Sequence, residues 1–205
     1  MNGLVTGAAG YIGSVVVHVL LKEGHSVVAL DNMRSGHREA LDPAAQLVNA
    51  DVGDEASLDA AFKSHKIEAV VHLAADSLVG QSMTDPASFF QNNVACGLNL
   101  LSAMLRHGVG RIVFSSSAAV YGEPRRVPVK ESAPVQPVNP YGETKLAFER
   151  ILFWYARAYG LHCVSLRYFN VAGAVGDLGE DHRPETHLIP NVLKVALGQA
   201  PSVQV

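Results

Sequence analysis

The sequence predicts an α/β fold, a doubly wound parallel sheet of the Rossmann type, and three observations carry that prediction. Short β-like runs alternate with longer amphipathic stretches, the pattern of repeated βαβ units. The first run, Leu4-Val5-Thr6, leads directly into the glycine-rich turn Gly7-Ala8-Ala9-Gly10-Tyr11-Ile12-Gly13 and then into a helical pattern. The second run ends on an acid, Asp31, at the strand end where such sheets bind ligands.

Taken in order, strands are expected at residues 3–6, 26–30, 46–49, 69–73, 111–115 and 162–167. Helices are expected at 11–23, 55–64, 86–106, 141–159 and 188–197. Gly24-His25, His107-Gly108 and Gly160 supply the stops that this reading needs. Residues 122–139, punctuated by prolines, read as one long loop, and loops of that length inside a compact domain are usually functional. A second loop, rich in glycine and acids, spans 172–185, and the apolar tail 201–205 looks like the start of a further strand. The domain reading is a dinucleotide-binding unit at 1–171 and the beginning of a substrate lobe at 172–205.

Bulk properties narrow the partner. The 205 residues can bury a sizeable core, 48% of them are hydrophobic, and the net charge is only −3. Without a basic block, nucleic acid and anionic membranes are disfavoured, and a small-molecule partner is expected. Cys96 and Cys163 sit in apolar patterns and are expected as buried free thiols. No apolar run reaches membrane-spanning length and no signal-like segment opens the chain, so a cytoplasmic protein is expected.

The glycine turn is chemically specific because of its context. Gly7 and Gly10 allow a tight turn that brings helix N-terminal amides toward a pyrophosphate, and Gly13 allows close helix–strand packing. Asp31 can accept hydrogen bonds from an adenosine ribose and would repel a 2′-phosphate, which favours NAD over NADP. Arg34 nearby leaves a route to a phosphate open. Asp51-Val52 follows the third strand and Leu73-Ala74-Ala75 the fourth, so both sets fall at the ligand edge. Asp51 by itself reads equally as a turn or helix-cap residue.

The catalytic candidates lie further on. Phe114-Ser115-Ser116-Ser117 lies at the end of the fifth strand, and Tyr141 and Lys145 stand one helical turn apart in Pro140-Tyr141-Gly142-Glu143-Thr144-Lys145. A phenol with a reference pKa near ~10 is a poor base at neutral pH, and a neighbouring cation favours its ionised form.

Glycine turn, Asp31, Ser117, Tyr141 and Lys145 in this order resemble the extended short-chain dehydrogenase/reductase family. Asn92-Asn93-Val94, Arg167-Tyr168-Phe169-Asn170, Gly179-Glu180-Asp181 and His187-Leu188-Ile189-Pro190 are similar to the sugar-nucleotide epimerase group within it. The resemblance implies that Tyr11, Ile12, Asp31, Asn32, Asp51, Val52, Asn92 and Phe169 contact NAD, with Lys145 on the nicotinamide ribose. It implies Tyr141 as the base, Ser117 as a hydrogen-bond partner of the sugar hydroxyl, and Asn170 with His187-Leu188 as UDP-sugar contacts. The implied activity is interconversion of UDP-glucose and UDP-galactose through a 4-keto sugar. The alternatives are epimerisation of another UDP-sugar (an N-acetylhexosamine or a uronate), or NAD binding without turnover. Related dehydratases carry acids after the strand-five hydroxyl, whereas Ala118-Ala119-Val120-Tyr121 has none, which favours simple return of the hydride. No metal is expected in the site. The family implies a homodimer through the helices at 86–106 and 141–159, and a chain that continues past residue 205, so the substrate lobe is expected to be largely missing.

Overall fold

Six strands form one parallel sheet, whose central strands carry buried apolar residues on both faces and so need cover on both. In the computed structural model, which describes residues 1–182 and 185–203, these are β1 (Asn2–Thr6), β2 (Ser26–Asp31), β3 (Gln46–Asn49), β4 (Ala69–His72), β5 (Arg111–Ser117) and β6 (His162–Tyr168). Their order is β3-β2-β1-β4-β5-β6. The topology reverses between β1 and β4, the point at which ligands enter such sheets.

Helices α1 (Tyr11–Lys22), α2 (Glu55–Ser64), α6 (Pro140–Tyr159) and α7 (Leu188–Ala196) fall where the sequence places them. Alternation along the strands splits the core. Leu4, Val28 and Leu30 face the side covered by Leu58, Leu100, Leu101 and Phe148, while Val5, Val27 and Ala29 pack with Val17 of α1.

The structure departs from expectation in five places. A short α3 (Val79–Thr84) is added, too brief to leave a periodic signature. The expected helix at 86–106 is built as α4 (Pro86–Phe90), a π segment Gln91–Ala95 and α5 (Cys96–Arg106). β5 extends to Ser117, beyond its apolar run, because pairing of Ser116 with Arg167 and Ser117 with Tyr168 carries the ladder on. Cys96 is buried, but Cys163 is only half-buried, since β6 is one of the two edge strands among the described residues. Pro201–Val203 form no strand, and residues 204–205 of the expected strand lie outside the described residues. The loop at 122–139 carries no helix or strand, as expected. Among the described residues no helix is long and apolar enough to cross a membrane.

Candidate active site

A cleft of about 640 Å³ opens at the carboxyl ends of the strands, and every site residue named from the sequence lines it. The glycine turn forms its floor. Gly7 has φ +68°, and a Cβ there would lie 2.6 Å from the Ala74 amide nitrogen. A Cβ on Gly13 would lie 2.0 Å from the Gly7 carbonyl oxygen, so helix α1 could not start against the turn. Gly10 caps α1 without any side-chain hydrogen bond, leaving first-turn amides directed at the cleft.

Asp31 is tied down rather than free. Its carboxylate accepts from the Ala9 amide at 2.9 Å and the Met33 amide at 2.8 Å, which fixes the end of β2 against the turn and leaves lone pairs for a ribose. Asn32 donates to Asp51 at 2.6 Å, and Asp51 also accepts from Gly53 N at 2.7 Å. The turn-former reading of Asp51 is therefore realised, while the residue still lines the cleft. Arg34, the cation that left NADP open, pairs with Asp76 across the cleft.

The π segment has a positional effect. Asn92 lines the cleft, and the next residue, Asn93, is buried. Asn93 accepts from Asp76 N at 2.8 Å and donates to the Asp76 carbonyl and to Thr144 Oγ1 at 3.0 and 3.1 Å. One side chain thereby connects the loop after β4 with the helix that bears Tyr141 and Lys145. The motif Asn92-Asn93-Val94 marked this place, but the tie depends on tertiary contact.

Helix α6 begins at Asn139, whose side chain accepts from Gly142 N at 2.8 Å, with Pro140 pre-set in the first turn. Gly142 allows that turn to approach Ala119, where a Cβ would stand 2.8 Å from the carbonyl oxygen. Tyr141 is thus delivered beside Ser117. Burial pushes the Tyr141 phenol above its usual range, and a hydrogen bond with Ser117 offsets this in part. This corrects the expectation that the neighbouring cation governs the phenol. Lys145 Nζ lies 5.7 Å from the Tyr141 ring centroid and donates instead to the Ser115 carbonyl at 2.9 Å.

Lys145 is itself fully buried, which lowers its ammonium to about 8. The native value lies below the unfolded one, so between pH about 8 and 10.5 the unfolded chain holds the extra proton and stability rises with pH. Relative to Lys145→Met, the wild-type chain is expected to gain about 3 kcal/mol across that window in urea denaturation. Parallel pH profiles for the two proteins would contradict this account of the site.

Beneath the cleft, His72 bonds Thr6 Oγ1 at 2.7 Å and packs its ring on Phe114 and Phe148. Burial, reinforced by the Lys145 charge, lowers His72 to about 3 and keeps it neutral. Glu149 of α6 accepts from Ser116 and forms a two-point pair with Arg167, at 2.9 and 2.6 Å, and Arg167 also donates to Tyr121 Oη at 2.8 Å. The sequence reading assigned no role to His72 or Glu149. Phe169 stands at the rim, 65% exposed, with Asn170, His187 and Leu188 on the same side. Tyr11 donates to the Gly173 carbonyl at 2.7 Å, and His37 Nε2 meets the Asp181 carbonyl at 3.0 Å, so the loop after residue 171 is drawn over the glycine turn.

The model of the NAD dependent epimerase/dehydratase family matches residues 3–205. The chain belongs to that family. Its family relatives include UDP-glucose 4-epimerases of Lacticaseibacillus casei, 52% identical over 100% of this chain, and of Corynebacterium glutamicum, 51% identical over 97%. A crystal structure of a UDP-glucose 4-epimerase superposes with a TM-score of 0.96 at 50% identity over 99% of this chain. The Bifidobacterium longum UDP-glucose 4-epimerase, crystallised with NAD+ and UDP, does so at 0.94 with 38% identity. The epimerase/dehydratase chain described here spans 62% of the Lacticaseibacillus casei relative and 60% of the Corynebacterium glutamicum one.

Proposed function

We propose that this chain binds NAD in the cleft and carries the cofactor and proton-transfer part of a UDP-glucose 4-epimerase. The observation that supports it most is the convergence, in one cleft, of the glycine turn with Ser117, Tyr141 and Lys145. The residues present fit NAD. The turn at Gly7 and Gly13 leaves no space for side chains, uncapped amides open α1, and Asp31 offers an acidic acceptor where a ribose would lie. Arg34 is engaged by Asp76 rather than held out toward a 2′-phosphate.

When bound, NAD supplies the hydride acceptor and donor. The chain's own groups handle the proton. Tyr141, as its phenolate, takes it from the sugar 4-hydroxyl and becomes the neutral phenol, Ser117 hydrogen-bonds the same oxygen, and Lys145, cationic below pH about 8, stabilises the phenolate before the transfer. Without a carboxylate in Ala118-Ala119-Val120-Tyr121, and with Glu149 held by Arg167, no free acid is supplied there for elimination. Reversal at the same carbon is the outcome this chemistry favours.

Residues 1–171 are read as the cofactor unit and 172–205 as the start of the sugar-nucleotide lobe, with Asn170 and the backbone of His187 and Leu188 as UDP-sugar contacts. A homodimer through α4–α5 and α6 is part of the proposal; Phe153 and Trp154 of α6 are 52% and 64% exposed. Calorimetric titration tests the cofactor reading. NAD is expected to bind at one per chain and more tightly than NADP, with affinity falling at least about tenfold in Asp31→Asn as one charged hydrogen bond is weakened. Equal affinity for NAD and NADP would overturn it.

A further inference from the structure

We propose that Glu180, His182, Glu185 and His187 form a binding site for a divalent transition-metal ion of the zinc class, which clips the loop before α7 into shape. The four side chains come from one eight-residue segment, yet each presents a ligand atom to a common point, all within 4.8 Å of one another. His187 Nδ1 lies 2.8 Å from Glu185 Oε1 and 3.0 Å from Glu180 Oε1. His182 Nδ1 lies 3.3 Å from Glu180 Oε1 and 3.8 Å from Glu185 Oε2. Metal–ligand bonds of roughly 2.0–2.1 Å in a tetrahedron set its ligand atoms ~3.3 Å apart, and the histidine–glutamate separations, in which Glu185 meets each histidine through a different oxygen, fall on both sides of that value.

The chemistry of the set points the same way. Two imidazoles and two carboxylates are the nitrogen–oxygen donors that zinc accepts, with two negative charges to match a dication. Both carboxylates are largely withdrawn from water, their side chains 13% and 6% exposed, and two like charges facing one point are unfavourable without a cation between them. A separate observation comes from His182. Its Nδ1 is shielded from water and, among the described residues, makes no hydrogen bond, although Glu180 is beside it. A lone pair in that state suits a metal bond.

Glu180, His182 and His187 also line the cleft, and His187 precedes the first turn of α7. An ion here ties Glu180 and His182 to Glu185 and His187, where the chain meets the cleft. The assignment rests on this loop's geometry and stands apart from the NAD and epimerase readings. It departs from the sequence expectation of no metal, because the spacing Glu-x-His-x-x-Glu-x-His matches no common zinc motif.

The test uses the untagged 205-residue chain, stripped with chelator and titrated with Zn2+ and separately with Co2+. One Zn2+ per chain is expected, and Co2+ is expected to give the intense visible absorption of tetrahedral coordination. The His182→Ala/His187→Ala variant is expected to lose more than roughly 100-fold in Zn2+ affinity, beyond the cost of losing an outer-shell partner. Glu185→Gln, which keeps the shape and removes one charge, is expected to weaken binding while circular dichroism and NAD titration remain those of the wild type. Undiminished Zn2+ binding in the double variant, or only the pale spectrum of hydrated Co2+ with the wild type, would overturn the site. Because metal binding is read without NAD or sugar, failure of the epimerase reading would leave this result unaffected.

Discussion

Tyr141→Phe is expected to lower epimerisation of UDP-galactose by ~10²–10⁴-fold, the range that a positioned proton-transfer group contributes. The assay belongs on a chain extended with the C-terminal portion of the Lacticaseibacillus casei relative, since this chain spans 62% of that protein. The phenol oxygen is the only atom removed, and the buried ring remains in place beside Ser117 and Lys145. NAD affinity and thermal stability should therefore stay close to wild type. Two outcomes would sink the assignment: turnover within a few-fold of the parent, or loss of activity matched by loss of NAD binding. The second would mean that Tyr141 supports the cleft rather than moving a proton. Because burial raises the phenol, activity should climb with pH until Lys145 begins to lose its charge near pH about 8.

Glu149→Ala is expected to be the most damaging single change to stability outside the apolar core, costing about 3 kcal/mol or more. Glu149 takes two hydrogen bonds from Arg167 and one from Ser116, and both ionic side chains are mostly buried, 11% and 24% exposed. Removing the acid strands a guanidinium and a hydroxyl behind the end of β5. The Arg167 cation, held strongly protonated chiefly by its hydrogen bond to Glu149, has no other acid in its hydrogen bonds. Urea denaturation reads the loss. Glu149→Leu with Arg167→Met should recover much of it, because replacing both partners leaves no unpaired charge. A loss under ~1 kcal/mol in the single variant would show that the pair is effectively solvated. Since Ser117 follows Ser116, the same variant tests whether the strand end beside Tyr141 depends on this anchor.

Legibility of the fold followed local physics. β3 and α2 lie at the residues expected because a short apolar pair, Leu47-Val48, and an amphipathic repeat are each complete within their own segment. The end of β5 was not legible: Ser116 and Ser117 carry no apolar signal, and their strand conformation depends on pairing with Arg167 and Tyr168 of β6. The π segment was hidden for a similar reason, since a single inserted residue scarcely disturbs a hydrophobic repeat, while its effect is to separate cleft-lining Asn92 from buried Asn93.

For the site, residue types at strand and helix ends were enough to name the cleft. Glycine spacing, a strand-end acid and a Tyr–Lys pair at one-turn spacing follow from backbone geometry that any such sheet shares, so the sequence by itself determined the fold class and the lining of the cleft. Tertiary structure alone decided the state of those groups. Whether Tyr141 is ionised depends on burial set by neighbouring elements, and whether Arg34 is free depends on Asp76 arriving from another strand end. The convergence of Glu180, His182, Glu185 and His187 likewise depends on the path of one loop through space. Desolvation and charge pairing act through distance, and distances between remote segments exist only once the chain is folded.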